Sequence, residues 1–355
     1  MMTNLVTKIV RVFLTGVWRL IRKIAGPRGL ILLGEQLIQA IENQQKVYIT
    51  YHYRPAYSNE VLTEGYGSTN DNRVAIVLQG PILGEKSFTL ETVKLYQKHF
   101  RDTSIILSTW SDENPDYIAR FRELEITLIL NEKPEHAGAS NINYQIISSS
   151  AGVQKAKEIG AEYVLKTRTD QRMYATGVVD YFYNICEQFP VTGGFVRQKK
   201  RIVGISLNTF KYRMYGLSDM LIYGHVEDML LYWNGTLDER ESPVEVLPSR
   251  ISLREHALRN ICEVYLSRNF LKQIGRNLEW TLQGSWGAFS DNFVVVDKEV
   301  LDLLWPKYGR REYFWRSYGK NEYFQEITFN EWLNIYAHFD KLEIPENLID
   351  QLPNC

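Results

Sequence analysis

Short apolar runs alternate regularly with helical patterns between residues 74 and 169, and this alternation constrains the fold more than any other feature of the chain. The apolar runs occupy residues 74–78, 104–110, 126–130 and 163–169. Helical patterns lie between them at residues 88–100, from Asn114-Pro115 onward, and at residues 140–159. Strands that are apolar along their whole length are buried on both faces, as in parallel sheets covered by helices. The sequence therefore predicts an α/β fold, with a mostly parallel, Rossmann-like sheet flanked by helices.

The segment YVLKTRTDQRMY, residues 163–174, begins as a buried strand and then becomes densely charged. If it stays extended, Lys166, Arg168, Asp170 and Arg172 share one face, because alternate side chains of a strand point the same way. Three cations and one carboxylate suit a pyrophosphate, alone or with one divalent cation. The alternative is a local ion-pair cluster in which Arg168 and Arg172 neutralise Asp170. Both interpretations remain open from the residues alone.

Ligands of parallel sheets bind beyond the carboxyl ends of the strands, which directs attention to two further segments. Gln79, Gly80 and Pro81 follow the first strand and are predicted to contact the ligand. Asn141 and Asn143 lie at the start of the helical pattern 140–159, whose free N–H groups favour anions, and they are candidates for binding a base or ribose. Such Asn residues are also common helix caps.

Several function classes are disfavoured by motifs and composition. No GxGxxG follows the first strand and no GxxxxGK[ST] occurs, which removes the main support for dinucleotide oxidoreductases and P-loop enzymes. Three Cys and six His residues show no zinc-site spacing, and the cysteine usage fits a reducing compartment. Residues 1–34 contain six Lys and Arg residues, whereas all 42 acidic residues lie beyond them. The acidic globular part disfavours nucleic-acid binding.

The basic segment 1–34 contains a helical pattern over residues 4–24, in which apolar residues recur at spacings of three and four. No run of about 20 apolar residues occurs there, so the pattern predicts an amphipathic helix on a membrane surface rather than a membrane span. An ordinary helix packed on the domain is the alternative. Residues 35–72 are predicted to form a connector.

The second half of the chain contains two carboxylates at the starts of predicted elements. Asp219 begins a predicted strand at residues 219–223, where an Asp that caps a turn is the commoner role. Glu255 belongs to a capping box with Ser252 before a predicted helix at residues 253–268, which by itself accounts for an acid at this position. Residues 280–292 are predicted to be an aromatic-rich loop in which Trp286 and Phe289 form a lid or acceptor platform, or else pin the loop to the core.

Several segments together resemble the WavE lipopolysaccharide synthesis family, among them VAIVLQGPI, IILSTWSDE, SDMLIYG and the distinctive KTRTDQR. The resemblance implies a GT-A-like glycosyltransferase over residues 73–345, with a nucleotide-sugar-binding half at 73–174, an acceptor half at 175–345 and a tail at 346–355. Asp170 would then be the surviving acid of an Asp-x-Asp-like motif that holds a divalent cation, Mg or Mn, on the donor diphosphate. Arg168 replaces the first acid of that motif, and in the alternative without a metal Arg168 and Lys166 neutralise the leaving diphosphate instead. The resemblance also implies that Asp219 deprotonates an acceptor hydroxyl or binds the donor sugar, and that Glu255, on a helix flanking the acceptor cleft, is a second catalytic candidate.

The expected partners are a nucleotide-sugar donor, a glycan or glycolipid acceptor and the inner-membrane surface, which places the protein in the cytoplasm as a peripheral membrane enzyme. Two other functions are compatible with the sequence. One is a sugar-phosphate transferase of capsule synthesis, and the other is a non-catalytic scaffold that binds nucleotide-sugars.

Overall fold

The computed structural model describes residues 15–17, 19–20, 23, 26, 32–44, 49, 52–62, 74–240, 251–306 and 325–351. The chain divides into two compact units, residues 1–54 and 55–355. Most of the predicted amphipathic helix 4–24 lies outside the described residues, and its described positions from 15 to 23 are helical. The predicted connector includes part of a helical stretch over residues 32–44. Within the described parts, no helix is both long and apolar enough to cross a membrane.

The strands of the second unit in the described residues are β1 Val74–Gln79, β2 Ser104–Trp110, β3 Thr127–Asn131, β4 Tyr163–Arg168, β5 Arg172–Met173, β6 Ile202–Ile205, β7 Ile222–His225, β8 Phe293–Val296 and β9 Leu303–Leu304. Seven of them form one sheet with the spatial order β3-β2-β1-β4-β7-β6-β8. Strands β1 to β4 are parallel to one another, β7 is antiparallel to both β4 and β6, and β8 is parallel to β6. The two short strands β5 and β9 pair separately in a two-stranded sheet. The predicted α/β architecture with a mostly parallel sheet is confirmed.

Helices cover the sheet on both sides. Those in the described residues are α1 Phe88–His99, α2 Pro115–Arg122, α3 Ile142–Glu158, α4 Val178–Gln188, α5 Val226–Trp233, α6 Leu253–Leu258, α7 Cys262–Gln273, α8 Leu282–Asp291 and α9 Phe329–His338. Gly152 of α3 lies directly over Val77 of β1, whose register partner is Lys166 of β4. Tyr163 of β4 points to the other face, where its hydroxyl bonds Glu187 of α4 at 3.2 Å. The central strands are therefore buried on both faces, as their apolar sequences require.

Three predicted elements of the second half differ in the structure. The segment 253–268 forms two helices rather than one, because Asn260 adopts a left-handed conformation with φ of 49° between them. The strand predicted at 219–223 is β7, which starts three residues later at Ile222. The predicted loop 280–292 contains α8, whose first turn is capped by the Thr281 side chain.

The prediction that Trp286 and Phe289 form a lid or platform is wrong. Both side chains are buried in the core on α8. The indole nitrogen of Trp286 donates a hydrogen bond to the main-chain oxygen of Lys211 at 2.9 Å. Their apolar area stabilises the packing of α8 and is not offered to a ligand.

Candidate functional site

The sheet has a topological switch point between β1 and β4. The chain continues from β1 to β2 and β3 on one side of the sheet, and then returns to place β4 on the other side of β1. Gln79 at the end of β1 is the register partner of Arg168 at the end of β4. Crevices at such points, beyond the carboxyl ends of the strands, are where open α/β sheets bind ligands. The two most polar segments of the sequence analysis thus meet where a ligand is expected.

Hydrogen bonds connect the loop after β1 to the loop after β4. The Thr169 hydroxyl donates to the main-chain oxygen of Pro81 at 2.6 Å, and the Thr89 hydroxyl donates to the main-chain oxygen of Thr169 at 2.9 Å. Gly80 has φ of 116°, and a Cβ at this position would lie 3.1 Å from the Thr169 hydroxyl oxygen. Glycine at position 80 therefore allows the two loops to approach closely. The side chain of Gln79 is buried and accepts a bond from Ser148 at 2.8 Å, so its amide supports this edge from inside the fold.

Arg168 and Asp170 form a two-bond ion pair at this edge. The distances are 2.8 Å from Nε to Oδ1 and 2.9 Å from Nη2 to Oδ2. The two side chains are 19% and 18% exposed, and the guanidinium carbon lies 5.5 Å from the ring centroid of Trp305. The pair is partly accessible and its guanidinium is held in a fixed plane, which suits recognition of a phosphate group.

Lys166 lies beneath this pair, fully buried on the same face of β4. Its ammonium group donates to the main-chain oxygen of Asp219 at 2.6 Å and lies 4.5 Å from the ring centroid of Trp233. Burial lowers the pKa of Lys166 to about 7, while Asp219 and Asp170 act in the opposite direction. The Lys166 amine therefore has a lower proton affinity than an exposed lysine, and it lies under the Arg168–Asp170 pair.

Arg172 does not share a face with Lys166 and Arg168, so that prediction is wrong. The chain turns at Thr169 and Asp170 after β4, and Arg172 belongs to the separate strand β5. Its guanidinium is buried and donates to three acceptors at 2.8 Å: the Thr92 hydroxyl and the main-chain oxygens of Ala56 and Phe88. These three acceptors are part of the folded protein, so Arg172 stabilises the fold, and Asp170 pairs with Arg168.

The two Asn candidates have different environments. Asn141 is exposed at the start of α3, after β3 and so at the carboxyl edge, and its φ of 63° leaves the helix without a side-chain cap. Asn143 is buried, and its amide group donates to the main-chain oxygens of His136 and Asp238 at 2.9 and 2.8 Å. The side chain of Asn143 therefore joins two loops, while Asn141 keeps an accessible amide.

A second polar cluster adjoins the first, at the end of β6 and the start of the antiparallel β7. The Asp219 carboxylate is 4% exposed and accepts a hydrogen bond from the Cys262 thiol at 3.1 Å. Burial raises the pKa of Cys262 well above its ordinary value, which keeps the thiol protonated as a donor. Since Lys166 bonds the main chain of Asp219, the two clusters are continuous.

Glu263, in the first turn of α7, is a member of this cluster that the sequence analysis missed. It accepts a hydrogen bond from the Asn208 amide and lies 3.9 Å from the guanidinium of Arg213. Burial and the neighbouring Asp219 raise the pKa of Glu263, whereas Arg213 and Asn208 lower it. Sequence alone placed Glu263 inside a continuous helix, and no Gly or Pro signals that α7 begins at Cys262.

Glu255 is engaged in the predicted capping box at the start of α6. Its carboxylate accepts a bond from the Ser252 main-chain N–H at 2.7 Å, and the Ser252 hydroxyl accepts from the Glu255 N–H at 3.2 Å. The capping role is confirmed. It satisfies two N–H groups of the helix end and accounts for an acid at this position.

A divalent cation at the β1–β4 edge would take its protein ligands from the carboxylates there. Within the described ranges, no three His, Cys, Asp or Glu side chains come together as a metal site. A cation bound with a nucleotide, however, needs only one or two protein carboxylates, since phosphate oxygens and waters complete its coordination. Asp170 is partly exposed at the switch point and fits this role, provided that it exchanges contacts with Arg168.

Comparisons with known proteins give one family and distant similarities to solved structures. No curated protein matches the chain. Among solved structures, the chain is similar to the mannosyltransferase PcManGT from Pyrobaculum calidifontis, in complex with GDP-Man and Mn2+, with 12% identity and a TM-score of 0.33. This alignment covers 70% of the chain and spans 61% of the length of the mannosyltransferase. A protein from Bacillus anthracis, named as a glucose-1-phosphate thymidylyltransferase and solved with sucrose, aligns at 9% identity with a TM-score of 0.30, covering 58% of this chain and 97% of that one.

The family model described as WavE lipopolysaccharide synthesis matches residues 74–349. The match begins with β1, contains both polar clusters and extends past α9. Because it covers well over half of the 355 residues, the chain belongs to the WavE lipopolysaccharide synthesis family.

Proposed function

We propose that the protein is a GT-A-like glycosyltransferase that moves a sugar from a nucleotide-sugar donor to a lipopolysaccharide or other surface-polysaccharide acceptor. Membership of the WavE family supports a role in lipopolysaccharide synthesis. The observation that carries the proposal is the Arg168–Asp170 pair at the switch point between β1 and β4. Open α/β sheets bind ligands at positions of this kind, and a planar guanidinium suits a diphosphate.

In the proposed reaction, Arg168 binds the donor diphosphate and neutralises the charge that develops as the nucleoside diphosphate leaves. Gly80 allows the loop after β1 to lie close to the loop after β4. Asn141, at the start of α3, is a candidate to form hydrogen bonds with the nucleoside. A divalent cation held by Asp170 and the phosphates would add to this neutralisation. The second cluster, around Asp219, is proposed to face the transferred sugar and its acceptor.

A panel of nucleotide-sugars tests the proposal, with release of nucleoside diphosphate and transfer to lipid-linked glycan as the measurements. Arg168→Ala and Asp170→Ala are expected to lose most transfer activity. The exposed ion pair Lys155–Glu158 on α3, at 3.1 Å, offers matched control variants, Lys155→Ala and Glu158→Ala. An unchanged rate in Asp170→Ala would contradict the proposed site. Loss of activity with a chelator, restored by Mn, would show that a divalent cation takes part in the reaction.

The same experiment separates the two alternative functions. Phosphorus NMR of the product identifies transfer of phosphate together with the sugar, which is the reaction of a sugar-phosphate transferase. Binding of the nucleotide-sugar without turnover in the presence of acceptor would indicate a scaffold. Transfer of the sugar alone is the result expected here.

We further propose that the first unit holds the enzyme on the cytoplasmic side of the inner membrane as a peripheral protein. Residues 1–34 carry six cations and no acid, and the described part of this unit exposes Leu20, Leu32 and Leu37. Cations and exposed apolar side chains together favour an anionic membrane surface. Flotation of the full chain with anionic vesicles tests this. Replacing Arg19, Arg22 and Lys23 by Gln is expected to weaken binding, and unchanged binding at low salt would contradict the proposal.

A further inference from the structure

The second cluster contains two carboxylates in different environments. Asp219 is almost completely buried, and one of its oxygens accepts from the Cys262 thiol at 3.1 Å. Glu263 is 13% exposed on its side chain and lies at the start of α7, next to Cys262. Of the two, Glu263 is therefore the more accessible carboxylate.

The carboxylate of Glu263 is held in a defined position by the loop that follows β6. The side-chain amide of Asn208 donates to Glu263. The main-chain N–H of Asn208 donates to the Glu326 carboxylate at 3.1 Å. Glu326 in turn forms a buried ion pair with Lys298, after β8. Groups that are fixed by such a network keep the geometry that proton transfer requires.

The guanidinium of Arg213 is held beside Glu263 by the loop that also carries Asn208. It lies 3.9 Å from Glu263, and its Nη2 donates to the main-chain oxygens of Asn208 and Gly216. Arg213 is therefore fixed at one side of Glu263 and orients its carboxylate.

The charged and titratable groups that face Glu263 come from three elements: Arg213 and Asp219 from the loop before β7, Tyr232 on α5 and Cys262 on α7. Burial and Asp219 raise the pKa of Glu263, and Arg213 opposes this effect. The net result is a pKa of Glu263 above its ordinary value.

We propose that Glu263 takes the proton from the acceptor hydroxyl that attacks the donor sugar, with Asn208 and Arg213 as positioning residues. This inference rests on the proposed transferase function. The acceptor O–H bond breaks and its proton passes to the Glu263 carboxylate. The acceptor oxygen forms a bond to the anomeric carbon, and the bond from that carbon to the diphosphate breaks, with its electron pair leaving on the nucleoside diphosphate. A single displacement of this kind inverts the anomeric configuration.

The main test is Glu263→Gln, which keeps the shape of the side chain and removes the proton acceptor. We expect kcat to fall by roughly 10²–10⁴-fold, the usual contribution of a general base, with donor KM changed by less than about threefold. The wild-type kcat is expected to fall on the acid side as Glu263 is protonated, and Glu263→Gln should lack this acid limb. Glu158→Gln, at an exposed position near the end of α3, is the matched control and should keep the wild-type profile.

Nucleoside diphosphate binding and thermal unfolding show whether Glu263→Gln is folded. If it is not, Glu263→Asp replaces it, and this variant is expected to keep an acid limb with a lower kcat. A kcat within about threefold of wild type in folded Glu263→Gln would overturn the inference, as would an NMR spectrum showing a retained anomeric configuration. In that event an inactive Arg168→Ala would leave the proposed function standing. Absence of transfer by the wild-type enzyme from any nucleotide-sugar would instead remove the function itself.

Discussion

The ammonium group of Lys166 donates a 2.6 Å hydrogen bond to the main-chain oxygen of Asp219. This bond connects the end of β4 with the segment that leads into the antiparallel β7. It places the Arg168–Asp170 pair and the cluster around Glu263 on either side of one buried cation. A change at Lys166 is therefore expected to reach both halves of the site.

The stability of the protein should depend on pH through Lys166. The pKa of Lys166 is about 7 in the folded state, against an ordinary value of 10.5. Between these values the unfolded chain binds more protons than the folded one, so the free energy of unfolding rises with pH across this window. Lys166→Met removes this component. The melting temperature is measured from pH 7 to 9 for wild type and for Lys166→Met. The difference, wild type minus variant, should increase as the pH rises. Lys155→Met is the control, and a constant difference for Lys166→Met would contradict the prediction.

Replacement of Arg172 should affect folding before it affects ligand binding. Arg172→Ala leaves buried acceptors at Ala56, Phe88 and Thr92 without their donor. The expected loss in the free energy of unfolding is about 3 kcal/mol, and Arg172→Lys should recover little of it because an ammonium group lacks the planar fork. Urea denaturation measures both values. Arg122→Ala, at the exposed end of α2, is the control. Wild-type stability with weakened donor binding would reinstate Arg172 as a ligand-binding residue.

The contact between α3 and β1 predicts a coupled pair of substitutions. A Cβ added at Gly152 would lie 2.3 Å from Cγ1 of Val77, so Gly152→Ala forces the helix or the strand to move. Overpacking of this kind costs about 1–3 kcal/mol. Val77→Ala creates space at the same contact. In denaturation experiments the double variant should be more stable than the sum of the single effects predicts. Strict additivity would show that the two positions do not share this contact.

The role of Glu255 can be decided by comparing it with its capping partner. Ser252→Ala and Glu255→Ala should each lower the stability of the protein by about 1 kcal/mol, because each removes half of the capping box. Glu331→Ala, in the capping box that Thr328 and Glu331 form at α9, provides the reference loss. If Glu255→Ala abolished transfer while Ser252→Ala did not, Glu255 would be catalytic as well as structural.

The sequence predicted the sheet because its strands are apolar throughout and separated by clear helical periods. It also predicted that the segment containing Arg168 and Asp170 lies at the carboxyl edge, since this follows from strand order in any parallel sheet. It did not predict the turn after Arg168 that separates Arg172 from the rest, because an extended run of alternating charges gives no signal of a change of strand. The break at Asn260 and the burial of Trp286 depend on tertiary contacts, which no local pattern encodes.

The reversed direction of β7 has a further consequence for the second cluster. Strand β6 ends and β7 begins at the same edge of the sheet, so the intervening residues 206–221 leave and return on the side of the polar clusters. Most of this excursion is buried, with Met214, Tyr215 and Leu217 in the core. One stretch of chain thus supplies both apolar packing and polar side chains at this edge, so substitutions within it are expected to change stability and the geometry of the cluster together.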